Sequence, residues 1–364
     1  GNDTRPYRLR NVYAYSTPWA GYQTVSEPGS IANANLLPEI LSTYEVGTEL
    51  RFFENRIGLD FTYYNTVSRN QILSLPLNQT SGYTSRFLNA GKIQSHGYEM
   101  MLNLTPVKSS SFRWDININW SSSRAKVVEL IEGINTYSLP GRYVSVQARV
   151  GERMGDMYGS VYKRDPDGNI IYVDGLPQHD PIQRKVGNYN PDWTAGINNA
   201  FSYKGIIASF LLDCKKGGEI YSYMYVRGNE AGQLVESLAG REGGIVGEGV
   251  VQTPDGKFRP NNVNVSAERY WGAFFNAEQG TFDASFLKLR EVKLGYTIPR
   301  KVLKSFPLKD ITLLFVARNL ALWTKVPHID PDTSGISGET LLPGIEDMSL
   351  PSSRSFGFNI SFKF

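Results

Sequence analysis

About nine stretches of this chain alternate apolar and polar side chains with a period of two, and that pattern limits the fold more than any other feature. The last is the plainest. Phe356, Phe358, Ile360, Phe362 and Phe364 share one parity, while Gly357, Asn359, Ser361 and Lys363 hold the other. In a strand successive side chains point to opposite faces, so each such stretch has one apolar and one polar side. Phe112, Trp114, Ile116, Ile118 and Trp120 stand in the same way against Arg113, Asp115, Asn117, Asn119 and Ser121. Earlier, Tyr44, Val46, Thr48, Leu50 and Phe52 oppose Glu45, Gly47, Glu49 and Arg51, and a turn at Glu54, Asn55 and Arg56 leads into Ile57, Leu59, Phe61 and Tyr63. A sheet of such strands must cover its apolar face with a second layer, as a soluble sandwich does, or turn it to lipid, as a membrane barrel does.

The connections favour the barrel. Short turns at 54–56, 106–111, 204–205 and 299–309 alternate with long segments at 67–92, 124–192, 218–284 and 322–353. Outer-membrane barrels sort their loops this way, short on the periplasmic side and long outside, whereas a sandwich has no reason to. The expected fold is therefore all-β: the carboxy-terminal part, about nine antiparallel strands, of a transmembrane β-barrel with long extracellular loops. Residues 1–41 read as an extracellular loop segment and 42–364 as barrel. An odd strand count and the lack of a leader at Gly1 point to strands and a plug domain missing upstream. The seventh strand changes phase near Arg290 and Glu291, which predicts a bulge or an exit from the membrane there, and 233–238 reads as a short helix.

Composition excludes other classes. A net charge of +3 with 20% charged residues carries no nucleic-acid footprint. No apolar run reaches the roughly 18 residues of a membrane helix, a test that barrel strands escape. Cys214 is alone, and His96, His179 and His328 are scattered without ligand spacing, so no metal and no cofactor is expected. The run 165–169 resembles a calcium loop but lacks its glycine and glutamate positions, and reads as a turn. No nucleophile elbow or phosphate-binding glycine motif occurs. Glu45, Glu49, Asp60, Glu99 and Asp115 share the polar parity with Arg51 and Arg113; this is a mixed-charge wall rather than one catalytic carboxylate pair, and no enzyme is expected. These residues and Arg318 are candidate contacts of a plug. In the long loops Tyr143, Tyr158, Tyr162, Tyr270 and Trp271 are candidates for stacking on a ligand or anchoring a lid, with packing among the loops as the plainer alternative.

Several strings resemble SusC-like TonB-dependent outer-membrane transporters of the Bacteroidetes type. They include Arg51-Phe52-Phe53-Glu54-Asn55-Arg56, Asn190-Pro191-Asp192-Trp193, Ser285-Phe286-Leu287-Lys288-Leu289-Arg290-Glu291-Val292, Ala317-Arg318-Asn319-Leu320 and Ile329-Asp330-Pro331-Asp332. The resemblance implies a barrel of about 22 strands in outer-membrane lipid. It further implies a plug, coupling to the TonB complex, a SusD-like surface lipoprotein as lid, and an oligosaccharide or peptide substrate. The alternating residues from Phe356 to Phe364 would serve barrel assembly. A siderophore or cobalamin receptor of the same fold, a secreted carbohydrate-binding β-sandwich and a surface adhesin remain as alternatives.

Overall fold

The computed structural model describes residues 8–139, 143–273, 276–299, 301–303, 308–337 and 340–363. Its main element is a 9-stranded sheet in which every neighbour in space is also the neighbour in sequence. The strands are β1 (Ile40–Phe52), β2 (Ile57–Arg69), β3 (Gly91–Lys108), β4 (Phe112–Leu130), β5 (Trp193–Tyr203), β6 (Ile206–Lys216), β7 (Phe286–Pro299), β8 (Asp310–Thr324) and β9 (Ser355–Lys363). All eight pairings are antiparallel.

Register carries the alternation across the whole sheet. Leu50, Leu59, Leu102, Ile118, Ile197, Leu212, Leu289 and Ala321 form one cross-strand row. A slip of one residue in any strand would move its apolar set to the other face. The neighbouring row of opposite parity runs Glu49, Asp60, Met101, Asn119, Gly196, Asp213, Lys288 and Leu322. One face is thus mainly apolar, interrupted by Asn199 and, at the outer end, by Asn65, His96 and Arg124. The other is mainly polar, with Met101, Ile207, Leu211, Leu314, Val316 and Leu322 among its apolar members.

Turn chemistry closes the short ends. Lys204 and Gly205 both have positive φ, at 46° and 90°, the backbone that a two-residue hairpin needs to match the twist of its strands. At the phase change in β7 both ladders shift: against β6, where Leu211 pairs with Glu291 and Leu212 with Leu289, Arg290 is the extra residue of a bulge, and against β8 the single Arg290 stands opposite Asn319 and Leu320, with Asn319 at φ 53°. The expected bulge is present, and β7 continues past it to Pro299 without leaving the sheet.

Two expectations need correction. β3 and β4 run for 18 and 19 residues, well beyond the roughly ten that a tilted membrane strand requires. At ~3.3 Å per residue β4 is about 60 Å long and, tilted by roughly 45°, rises about 40 Å, so it extends beyond the ~30 Å hydrocarbon core of a bilayer. The segments expected at 67–92 and 124–192 therefore begin later, after Arg69 and Leu130. The helix anticipated at 233–238 is a 3-10 turn over Val235–Leu238, and an α-helix, α1, lies earlier at Tyr223–Glu230. Residues before β1 form a hairpin from Ala14–Trp19 and Tyr22–Ser26, and two reciprocal hydrogen bonds, Leu37 N–H to Asn89 Oδ1 and Asn89 Nδ2 to Leu37 O, fasten this region to the β2–β3 connection.

Candidate functional site

The long connections fold on one another. Segments Thr136–Leu139, Val144–Arg149, Asp156–Gly159 and Arg184–Asn188 make a small antiparallel sheet, and Glu219–Ser222 pairs with Thr281–Asp283 and Ile345–Glu346. Between them lies a buried cluster of Val144, Val146, Met157, Tyr221, Tyr223, Val226, Ala277 and Ile345, drawn from three different connections. The outer end of β4 supports this body, because Val127 and Ala125 exchange backbone hydrogen bonds with residues 151–154.

Glu346, 0% exposed, is the polar pin of the loop body. Its Oε2 accepts from Ser222 Oγ at 2.9 Å and from Met224 N–H at 3.0 Å, and its Oε1 accepts from Ser349 N–H at 3.1 Å. Ser222 is the N-cap of α1 and accepts from Tyr225 N–H at 3.1 Å. One carboxylate from the last connection thereby satisfies the start of a helix in the previous one, where a negative charge is also favoured by the helix dipole.

A second cluster joins this body to the polar face of the sheet. Lys288 of β7 is 4% exposed, and its Nζ lies 2.5 Å from Asp330 Oδ1 and 2.6 Å from Asp332 Oδ2. Arg290 pairs with Asp213 of β6 through Nε at 2.6 Å and reaches Asp332 as well. Lys215 Nζ donates to Pro331 O at 3.4 Å. Three cations on two adjacent strands thus hold the turn 330–332, which also closes on itself through Asp332 N–H to Asp330 Oδ1. Burial raises the Asp330 carboxyl, but the hydrogen bonds from Lys288 and Asp332 outweigh it and hold the group below its ordinary value. A buried lysine needs such partners, since an unpaired charge out of water is costly.

Glu45, Glu49, Arg51, Glu99, Arg113, Asp115 and Arg318 all lie on the polar face. Arg51 pairs with Glu49 at 2.7 Å and Arg113 with Asp115 at 2.6 Å, each along its own strand. Arg318, for which the sequence names no partner, meets Glu291 across the ladder at 2.9 Å. The aromatic candidates divide. Tyr158 and Tyr162 are each 5% exposed and pack inside the loop body, so as the loops stand their rings are not offered to a ligand. Burial and a hydrogen bond to Glu152 push the Tyr158 phenol up to about 12, and burial likewise raises Tyr162. Tyr143 stacks on Tyr223 with ring centroids 4.5 Å apart, a packing contact too. Tyr270 and Trp271, edge to face at 5.4 Å, stay partly exposed. Asp165 accepts from the N–H groups of Asp167 and Asn169, as expected of a turn. Phe356, Phe358, Ile360 and Phe362 stand in a row on the apolar face of β9, and Phe364 lies outside the described residues.

Lys288, Arg290, Asp213, Asp330, Asp332 and Glu346 were not singled out as interacting residues from the sequence. A signal existed for the first two, because Lys288 and Arg290 place charge on either side of Leu289, at the polar parity of the strand.

The family model for a TonB dependent receptor-like β-barrel matches residues 5–320. Among similar proteins, TonB-dependent receptor P3 of Formosa agariphila is 26% identical over 92% of this chain, and TonB-dependent receptor SusC of Bacteroides thetaiotaomicron is 23% identical over 98%. The chain spans 35% of the length of each. A solved structure of the RagAB peptide transporter superposes with a TM-score of 0.73 at 18% identity, covering 98% of this chain and 38% of that one. The alternation, the ordered antiparallel sheet and the family match converge: the chain belongs to the TonB-dependent receptor-like β-barrel family, a SusC-like outer-membrane protein with its apolar face to lipid and its polar face to the lumen.

Proposed function

We propose that this chain supplies part of the wall and outer mouth of a TonB-dependent active transporter that imports glycan or peptide nutrients beneath a SusD-like lipoprotein lid. The observation that carries this reading is the folded loop body fastened to the lumen face by Lys288 and Arg290. A structured vestibule above a charged, hydrated wall suits capture of a bulky polar solute before passage, and it offers a firm platform for a lid. On this reading residues 1–41 belong to the outer surface and 42–364 to the barrel. Glu45, Glu49, Arg51, Glu99, Arg113, Asp115 and Arg318 contact the plug, and the residues from Phe356 to Phe364 serve barrel assembly.

No covalent step is needed. The wall excludes lipid, the loop body receives the solute, and the energy of passage comes through the TonB complex. The test is uptake by the native host of fluorescent oligosaccharide and peptide pools, with and without this gene and with and without TonB. Uptake that requires both, and copurification of a surface lipoprotein, supports the reading. Loss of ferric-siderophore or cobalamin uptake instead, or uptake indifferent to TonB, would replace it.

A further inference from the structure

A group of basic residues stands together at the outer end of the sheet, on the side that faces lipid. A row of rings marks the level of the membrane surface there: Tyr63 lies across the ladder from Tyr98 with centroids 5.2 Å apart, and Trp193 opens β5 nearby. From that row down to the short turns, no charged side chain faces lipid on β2 to β6. Outward of it the same side turns basic. Arg124 lies across the ladder from His96 and Lys126 from Gln94, both beyond Ser122, the partner of Tyr98. Arg153 bridges to Lys126, which puts it on the same side, and Arg69 and Lys92 follow at the outer ends of β2 and β3. At ~3.3 Å per residue and a tilt of about 45°, Arg124 stands about 5 Å and Lys126 about 9 Å above the tyrosine row, at the level of lipid headgroups.

Charge and surroundings select the occupant. Arg124 and Arg153 share one carboxylate, Asp192, at 3.4 and 3.7 Å, and Glu129 stands across the ladder from Lys92. Among the described residues Lys126 and Arg69 have no carboxylate partner, so positive charge is in excess. A recess of about 260 Å³, bounded by Arg69, Asn70, Lys92 and Glu129, opens beside them and has room for a phosphate group. On its opposite side β4 carries Ala125 and Val127 at this height, and Val127 is 1% exposed beneath the loop body. The cations therefore point away from the loops and from any solute in the lumen. Guanidinium groups match phosphate oxygens in fork geometry, and a basic cluster at the membrane surface suits an anionic headgroup. From Arg69 on β2 to Arg153 beyond β4 the cluster crosses three strand spacings, about 14 Å, which is wider than one phosphodiester and suits a sugar headgroup bearing phosphate.

We infer that this cluster binds the phosphorylated headgroup of an outer-leaflet glycolipid, with Arg124 and Lys126 as its principal contacts and Arg69 and Lys92 beside them. The site lies on the lipid side of the wall and goes beyond the transporter reading, on which it does not depend. A lipid held there would brace the outer ends of β3 and β4, the strand ends that carry the loop body.

Titration of the native-length protein, delipidated in detergent, tests it, with phosphorylated lipid A, the same lipid A dephosphorylated, phosphatidylglycerol and inorganic phosphate as separate probes. Binding is read from the thermal midpoint and, for the lipids, from adducts in native mass spectra. Expected is binding of phosphorylated lipid A, weakened about tenfold or more by removal of its phosphate and by Arg124→Gln combined with Lys126→Gln. Heat-modifiable migration on gels shows that each variant is folded. Lys126→Gln alone, which breaks no ion pair, should weaken the same lipid severalfold, whereas Lys257→Gln, an exposed cation of the loop body, should match wild type. Equal binding of the two forms of lipid A, or wild-type binding in the folded double variant, would overturn the site. Phosphatidylglycerol bound as tightly would make it a general anionic-lipid surface, and inorganic phosphate bound as tightly a free-phosphate site; either result would replace the glycolipid assignment. Uptake dependent on TonB is read separately, so failure here leaves the transporter reading standing.

Discussion

The wall and the loop body of this chain obey opposite rules of burial. On the wall, the large apolar side chains are the exposed ones, with Phe358 at 83% and Tyr44 at 79%. In the loop body Val144 and Val226 are at 0%, and most of the fully buried side chains lie there, off the sheet. One polypeptide is built for two solvents. Water drives the loop core together through the hydrophobic effect, whereas the wall finds its apolar surroundings in lipid and must satisfy its backbone between strands. Lys288, Asp330 and Asp332 join the two regimes through a largely buried ion cluster on the polar face of the sheet.

The contrast can be broken at its seam. Lys288→Met removes the shared cation, so that Asp330 loses its ion-pair partner while Asp332 keeps Arg290; a loss of about 3–5 kcal/mol of local stability is expected. Limited proteolysis should cut within 325–354 while the barrel keeps its heat-modifiable migration, and resistance equal to wild type would show that the seam does not hold the loop. On the wall, Phe315→Arg places a guanidinium on the lipid face between Leu294 and Phe358. A cost of about 2–4 kcal/mol in urea unfolding from liposomes is expected, against little effect for Asn117→Arg on the polar face. Equal costs on the two faces would contradict the assignment of lipid and lumen.

Within the loop body, Glu346→Ala leaves three donors, Ser222 Oγ, Met224 N–H and Ser349 N–H, unmatched. About 1–3 kcal/mol is expected, read as faster amide exchange at the start of α1 with wall amides unchanged. Titration discriminates the regions as well. The Tyr158 phenol is raised in the folded state from 10.0 to about 12, so its contribution is intact below pH 10 and is lost as pH climbs toward 12. Asp330 behaves oppositely. Its depressed carboxyl contributes above the ordinary value of 3.8, and that contribution goes as acid protonates the folded group. Protease access to the loops should therefore rise at both extremes, with strand content by circular dichroism steady. The smallest effect belongs to Arg318→Ala: its pair with Glu291 is 61% exposed on the arginine side and contributes about 0.5 kcal/mol, below easy detection in unfolding.

The wall was legible in the sequence because a period of two is a local signal. Nine strands, their faces, the Lys204 and Gly205 turn and the bulge at Arg290 all follow from residues within a few positions of one another. The loop body was not legible. Glu346 and Ser222 are 124 positions apart, and Lys288 and Asp330 are 42 apart, with no periodicity to link them. The strings around Lys288 and Asp330 were recognisable one at a time, yet nothing in either announces that they touch. Helix α1 was missed for a related reason. Tyr223, Tyr225 and Val226 favour strands and Gly228 weakens a helix, so its stability comes from the Glu346 cap and the cluster around Val226.

The bulge at Arg290 has a further meaning. Remove that one residue and Phe286 through Ile298 would alternate without interruption, with Leu287, Leu289, Val292, Leu294, Tyr296 and Ile298 still facing outward. The lipid side therefore gains nothing from it, while the lumen gains a second consecutive charge beside Glu291. A strand wall of this kind can change the lining of its pore by insertion as well as by substitution, which gives evolution a way to edit the inside without rewriting the outside.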